Sequence, residues 1–433
     1  MSVTLARLEC HDVRFPTSRT LAGSDALNLD PDYSASYVVV HPSDGGAPGH
    51  GLAFTNGRGN EVVLSAVRAL AHHVEGRSLD EMFSEPAGFW GDLVRDTQLR
   101  WLGPEKGIIH MATAAIVNAV WDLRAKRAGK PMWQLLADLE PEQLVAAMDF
   151  SYITDAVTPE QALELLSERR KGIEGRTEHL RANGLPAYTT SAGWLGYTDE
   201  QVVRLAEEAM ADGFNHLKMK VGSDPSDDLR RARLLREAIG SERTLSMDAN
   251  QRWDVDEAIL RMRELAEVDP WWIEEPTSPD DALGHARIAE AVHPINVATG
   301  ENAHGRVMFK QFLQVGGMDI VQADACRVAG VNEVLSVLLL AAVFDKPVCP
   351  HAGGVGLCEY VQHLAAFDYL ALSGTLDGRV VEYVDHLHEH FVDPVRVRDG
   401  RYLLPEQPGY SIELTAEAIS RHTYPHGDEW RVA

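Results

Sequence analysis

The sequence predicts an α/β barrel preceded by a separate α+β unit, and three observations lead there. Short apolar runs alternate with amphipathic stretches across residues 186–400. Seven such runs end on a polar side chain: Lys220, Asp248, Glu274, Glu301, Asp324, His351 and Glu382, at intervals of 23–31 residues. That interval is one strand, one helix and their loops. The chain has 433 residues, whereas a barrel takes roughly 250, so a second unit of substantial size remains.

The elements follow in order. Residues 3–13, 36–41 and 51–55 read as strands, with a Gly- and Pro-rich turn at 43–49 between the last two. Helical spacing then covers 61–74, 108–128 and 132–138, the last two separated by Gly129-Lys130-Pro131. A charged helical segment follows Thr158-Pro-Glu-Gln161, which has the spacing of a capping box. Eight barrel strands are expected at 186–192, 216–222, 244–251, 271–276, 295–303, 320–326, 347–353 and 380–386. Amphipathic helices lie between them at 199–211, 227–239, 255–267, 331–344 and 357–372, with Thr198 and Gln201 marking the first helix start. The expected division is residues 1–185 for the front unit, with a helical insertion at about 158–182, residues 186–400 for the barrel, and a tail at 401–433 that returns to the front unit.

Composition narrows the function classes. A net charge of −25 argues against nucleic acid, whose phosphates require a basic surface. No apolar run is long enough to span a bilayer, and the N-terminus lacks the apolar core of a signal peptide. Four cysteines, Cys10, Cys326, Cys349 and Cys358, are too few for a disulfide scaffold. The expectation is a cytoplasmic protein without a membrane or nucleic-acid partner. Attraction for an anionic substrate then has to be local, from a bound cation and from lysines.

Residues two apart in a strand share a face, so His216, Lys218 and Lys220 point together. Two neighbouring ammonium groups disfavour one another, and burial adds to this, so a general-base lysine with a lowered pKa is expected. Asp248, Glu274 and Glu301 end three consecutive strands. Three carboxylates converging in a barrel mouth call for a cation, and an all-oxygen set suits one Mg²⁺. Spacing alone leaves Glu274 and Glu275 as alternatives. Asp324 beside His351 would fix the imidazole tautomer and raise its pKa, making a proton donor opposite Lys220. His386, His388 and His390 alternate but fall beyond the last strand, on a loop. Cys326 and Cys349 read as buried thiols, with an oxidation-sensitive pair as the alternative.

Lys218-Met-Lys220, Asp248-Ala-Asn250, Trp272-Ile-Glu-Glu-Pro276, Gly300-Glu301 and Asp324 followed by His351 resemble the enolase superfamily, in its mandelate-racemase-type branch. Finer segments are similar to the acid-sugar dehydratases of that branch that act on L-fuconate: Gly23-Ser-Asp-Ala26, Asp30-Pro-Asp-Tyr33, Trp194-Leu-Gly-Tyr197, Asp248-Ala-Asn-Gln-Arg-Trp253 and Cys349-Pro-His-Ala-Gly-Gly354. The resemblance implies a modified TIM barrel, (β/α)7β, under an α+β capping domain completed by the C-terminal tail. It implies one Mg²⁺ per subunit on Asp248, Glu274 and Glu301, with Glu274 rather than Glu275 as the ligand. Dehydration of a six-carbon sugar acid would follow, with Lys220 taking the C2 proton and His351, oriented by Asp324, donating to the 3-hydroxyl. Substrate contacts would come from Gly23, Ser24, Asp25, Tyr33, Lys218, Asn250 and Glu382. A racemase or epimerase on the same site is the alternative, and the expected partners are the small anionic substrate and further copies of the chain.

Overall fold

In a computed structural model that describes residues 2–431, the front unit is a three-stranded antiparallel sheet backed by helices. Its strands are Leu5–Arg14, Ser34–Pro42 and Gly49–Thr55. The 22-residue helix Gly107–Ala128 lies against the third strand and is almost wholly buried. Two glycines permit that approach. A Cβ on Gly49 would lie 2.1 Å from the Ala119 carbonyl oxygen, and one on Gly51 would lie 2.2 Å from that of Ala115. Both glycines face the helix because they are two apart in the strand.

The barrel is a parallel ring. Leu185–Thr189, His216–Lys220, Thr244–Asp248, Pro270–Glu274, Asn296–Thr299 and Ile320–Val321 pair in that order, and Val381–Tyr383 pairs in parallel with the first of them. The strands are shorter than the apolar runs: Lys220, Asp248, Glu274 and Glu382 lie in the strands themselves, whereas Glu301, Asp324 and His351 follow in the adjoining segments. At the seventh position, where residues 347–353 were expected to form a strand, only two isolated bridges form, Val321↔Val348 and Asp324↔His351. Among the described residues no helix is long and apolar enough to cross a membrane.

The charged segment at 158–182 is two helices, Pro159–Arg170 and Ile173–Asn183, broken where Gly172 takes φ +79°. The first is opened by the capping box of Thr158 and Gln161. At the far end, Arg401–Tyr402 pairs with the first barrel strand before the chain departs. The tail then reaches the front sheet. Helix Ala416–His422 packs on strand Leu5–Arg14, and the Trp430 indole N–H donates to the Arg14 carbonyl at 3.1 Å.

A seam joins the two units. The Phe54 amide donates to Cys326 Sγ at 3.3 Å, and the Leu52 amide donates to the Tyr360 hydroxyl at 2.8 Å. Gly354 lies so close that an added Cβ would meet the Phe54 ring at 2.8 Å. The buried Asp122 carboxylate accepts from the amides of His50 at 2.8 Å and Tyr410 at 2.6 Å, tying sheet, helix and tail together.

Gly51→Ala is expected to destabilise the protein by about 1–3 kcal/mol, since helix backbone rather than a mobile side chain blocks the new methyl. Gly175, exposed in a helix with open space around it, gives the contrast: Gly175→Ala should stabilise by up to about 1 kcal/mol. Urea midpoints for the two variants should move in opposite directions at unchanged slope.

Candidate active site

The strand registers set the site. Lys220 is the lateral partner of Asp248, and Asp248 of Glu274, so three neighbouring parallel strands present one charged side chain each at the same level. Glu301 follows the next strand, and ligand oxygens of Asp248, Glu274 and Glu301 come within 4.8 Å of one another. These three carboxylates fit a hard divalent cation: all donors are oxygens, two of the groups are fully buried, and Glu301 Oε2 is buried with no hydrogen-bond partner. Glu275 points elsewhere. Its carboxylate accepts from Gln251 Nε2 at 2.9 Å and Asn302 Nδ2 at 3.0 Å. Glu274 instead accepts from Lys218 Nζ and Gln322 Nε2, both at 2.7 Å, and from the Trp272 indole N–H at 3.2 Å. Of the two glutamates that spacing left open, Glu274 lies in the carboxylate cluster and Glu275 outside it.

The two lysines correct an expectation. Lys218 Nζ lies 2.7 Å from Glu274, 2.9 Å from Glu382 and 3.6 Å from Asp248, and Lys220 Nζ lies 2.5 Å from Asp248. Burial does press both pKa values down, and Lys218 presses on Lys220, but the carboxylates outweigh them and both ammonium groups are held above the ordinary lysine value. Strand alternation revealed the pair of like charges and not the acids brought in from other strands. Against the same burial, Lys220 and then Lys218 hold Asp248 below the usual carboxylate range. Glu274 is pushed up by burial and by the nearby Asp248 charge.

Across the mouth, His351 Nδ1 donates to Asp324 Oδ2 at 2.8 Å, and Asp324 Oδ1 accepts from the amides of Cys326 and Arg327. The Asp324 carboxylate is thereby aimed at the ring. Burial disfavours the imidazolium, but Glu301 and the Asp324 hydrogen bond outweigh it, and the His351 pKa is raised to about 10. At Nε2 the Gly353 amide stands 3.2 Å away and Glu301 Oε2 3.4 Å away. The amide favours the neutral ring and the carboxylate the charged one, which suits a group that gives up its proton.

A cavity of about 290 Å³ opens above these groups, lined by Gly23, Asp25 and Tyr33 from the capping unit and by Lys220, Asn250, Glu301, Asp324, His351 and Glu382 from the barrel. Trp194 lines it too, with Lys220 Nζ 5.5 Å from its ring centroid. A larger cavity of about 750 Å³ lies at the opposite end of the barrel, among strand starts such as Pro186, His216 and Pro270, away from the carboxylates. Strand starts serve stability rather than chemistry.

Two of the expected substrate contacts do not reach the smaller cavity. Ser24 is buried and its hydroxyl accepts from the Gly196 amide at 3.0 Å, so it fastens the 194–197 loop. Lys218 lies beneath the carboxylates with its side chain fully buried, and acts on them instead. Asp25 lines the cavity, but Oδ1 already accepts from the amides of Leu27 and Asn28, and Oδ2 from Asn28 Nδ2 at 3.0 Å. Arg327 and Phe54 also line the cavity and escaped sequence reasoning. For Arg327 a signal existed, three residues past Asp324 in the same strand-end loop; Phe54, on a capping strand, offered none. His388 does not join a metal strip: its Nδ1 donates to the buried Glu359 at 2.7 Å. All four cysteines are free, and Cys326, Cys349 and Cys358 are buried.

Residues 201–418 match the family model described as enolase C-terminal domain-like, and residues 27–137 match that of the mandelate racemase / muconate lactonizing enzyme N-terminal domain. The crystal structure of human mitochondrial enolase superfamily member 1 superposes with a TM-score of 0.98 at 53% identity, covering 99% of this chain and 98% of that one. L-galactonate dehydratase of Hypocrea jecorina is 49% identical over 428 residues, 98% of this chain and 94% of that protein. L-talarate/galactarate dehydratase from Salmonella typhimurium LT2, solved liganded with Mg and L-lyxarohydroxamate, superposes with a TM-score of 0.76 at 25% identity, covering 98% of this chain and 93% of that one.

Substitution separates the adjacent glutamates. Glu274→Gln is expected to abolish Mg²⁺ binding within the range that saturates the unaltered protein, whereas Glu275→Gln should weaken it by about tenfold, the effect of disturbing a supporting group. Calorimetric titration with Mg²⁺ reads both; equal loss in the two variants would return Glu275 to the ligand set.

Proposed function

The chain belongs to the enolase superfamily, in the mandelate racemase / muconate lactonizing enzyme branch, and from that premise we propose that it converts L-fuconate to 2-keto-3-deoxy-L-fuconate. It is an enzyme of the lyase class with Mg²⁺ as cofactor, and its chemistry is the dehydration of sugar acids. One observation carries the dehydration: a lysine and an Asp-supported histidine both line one small polar cavity that also reaches the carboxylate cluster; L-fuconate itself rests on the resemblance of segments 23–33, 194–197 and 349–354.

Mg²⁺, held by Asp248, Glu274 and Glu301, would supply positive charge to the substrate carboxylate as the adjacent carbon becomes anionic. Asp248 is what holds the Lys220 ammonium; once that carboxylate's charge is shared with a cation the hold weakens, and Lys220 in its neutral form takes the C2 proton. Trp194 beside it and the buried strand around it fix the direction of its Nζ. His351 gives its Nε2 proton to the departing 3-hydroxyl, which leaves as water, and Asp324 keeps the ring oriented through Nδ1. The enol so formed ketonises to the 2-keto-3-deoxy acid. Lys218 holds Asp248, Glu274 and Glu382 together from beneath, with the Glu382 carboxylate also accepting from the Ala352 amide and the Thr190 hydroxyl, each at 2.8 Å. Tyr33 covers the cavity from the capping unit, with the Phe54 ring edge-on to it at 5.0 Å.

A second substrate has a specific observation in its favour, the 49% identity to L-galactonate dehydratase. L-galactonate shares the configuration of L-fuconate and carries a 6-hydroxyl in place of the methyl hydrogen. An apolar seat for the methyl group rejects an added hydroxyl only about a hundredfold, so both acids can turn over. The ratio of kcat/KM for the two acids, read as 2-keto acid formed from a panel of aldonic acids, decides the preference. If neither reacts while another acid does, the L-fuconate assignment fails.

Variants separate the two proton handlers. Lys220→Met should stop both product formation and exchange of the C2 proton with solvent deuterium. His351→Asn should block elimination while C2 exchange continues; retained exchange in Lys220→Met would move the base elsewhere.

The pH profile tests Asp324. Because the His351 pKa is raised to about 10, the donor form persists across neutral pH and is lost as pH rises through that value. Asp324→Asn removes one anion that raises it, so the alkaline limb of kcat should move down by about one unit or more. An unmoved limb would assign the proton donor to another group.

A further inference from the structure

Far from the barrel mouth, the capping unit holds a second cluster with metal-ligand chemistry. Helix Asn60–Leu70 continues into the turn Ala71–His73, whose last two residues are His72 and His73. Asp96 follows helix Pro86–Val94 and faces them. His73 Nε2 lies 2.9 Å and His72 Nε2 3.6 Å from Asp96 Oδ2, and one ligand atom from each of the three residues lies within 4.8 Å of the others. We propose that His72, His73 and Asp96 bind a Zn²⁺-class transition-metal ion, separate from the Mg²⁺ of the barrel.

The separations suit that ion. Bonds of about 2.0–2.1 Å in a tetrahedron set ligand atoms about 3.3 Å apart, and 2.9 and 3.6 Å fall on either side of this. The ligands are also oriented by groups behind them. His72 Nδ1 donates to the Ala69 carbonyl at 3.0 Å, which leaves Nε2 as the lone-pair nitrogen. Asp96 Oδ1 accepts from the amides of Gln98 and Leu99, both at 2.9 Å, which holds Oδ2 toward the rings. Outer hydrogen bonds of this kind fix the tautomer and direction of metal ligands. Among the described residues no lysine or arginine pairs with Asp96, so no cation occupies the place an ion would take.

Donor type sets the selectivity. Two imidazoles and one carboxylate favour Zn²⁺, Co²⁺ or Ni²⁺ over Mg²⁺, while the all-oxygen barrel set has the opposite preference. The His72 side chain is 62% exposed against 13% for Asp96, so the ion would be seated on one side and open to water at its fourth position. A bound ion would join the end of one helix to the turn after another, closing a loop of the capping unit.

The test uses untagged, Mg²⁺-saturated protein titrated with Zn²⁺ against a chromophoric chelator. The unaltered protein should take up one Zn²⁺ more than the double variant His72→Gln with Asp96→Asn, and kcat/KM should be the same in both. Zn²⁺ that enters the barrel does so in both proteins and cancels. His72→Gln alone, at an exposed position, should weaken this uptake by at least about tenfold, so the test survives misfolding of the double variant. Added Co²⁺ should give the intense visible absorption of a four-coordinate site in the unaltered protein only. Equal Zn²⁺ uptake and equal Co²⁺ spectra in all three proteins would show an ordinary histidine–aspartate ion pair and overturn the proposal.

Discussion

Two ammonium groups packed among four carboxylates, all less than a tenth exposed apart from Glu301, are the constraint around which the barrel mouth is built. Taking each ion out of water costs several kcal/mol even after relaxation. Direct pairing offsets part of that cost, and donors from the surrounding strands offset more: Gln322 and Trp272 on Glu274, the Ala352 amide on Glu382, Asn250 N–H on Asp248. Removing one charge leaves its partners buried and unmatched, a loss of about 3–5 kcal/mol in comparable pairs. The lysine at 218 is therefore as much a scaffold as the ladders that carry it. Its ammonium keeps acids that would repel one another within reach of a single cation.

The chemistry and the covering of the cavity come from different parts of the chain. The groups proposed to move protons or hold charge sit at strand ends or in the segments immediately after them, where ladder registers fix their height. The roof comes from Gly23 to Tyr33, a stretch without regular strand, held by side-chain to backbone bonds such as those of Ser24 and Asp25. Tyr33 needs that arrangement in detail: a Cβ at position 23 would lie 2.4 Å from its ring, and Gly23 has φ +85°. The glycine is required twice, by its own backbone and by the ring above it.

Much of this was legible in the sequence because a β/α unit has a characteristic length and because each strand end carries a residue type unsuited to a core. The polar beat from Lys220 to Glu382 located the barrel and brought its members to one mouth. What stayed hidden depends on contacts between segments distant in sequence. The acids were legible at the same mouth, but their ion-pair distances to the lysines, which set the sign of the lysine shifts, were not. The irregular seventh position at 347–353 was hidden by its apolar residues, which satisfy a strand pattern while making only two bridges. Gln322 was readable in principle, two residues before Asp324 on the same strand face. Phe54 was not, since nothing in a capping strand announces that it will lie over a barrel loop. The division of residues 158–182 turned on two residues: Lys171, extended, ends the first helix, and Gly172, left-handed, starts the second.

The seam between the units has an evolutionary consequence. The capping strand meets the barrel through a thiol, a phenol and a glycine: Cys326 under Phe54, Tyr360 under Leu52, and Gly354 against the Phe54 ring. A hybrid made by grafting this capping unit onto a relative's barrel would bring its cavity-lining loop intact but lose these contacts, unless those three barrel positions travelled with it. The cover of the cavity and the charges beneath it are encoded far apart in this chain, yet each is shaped to the other.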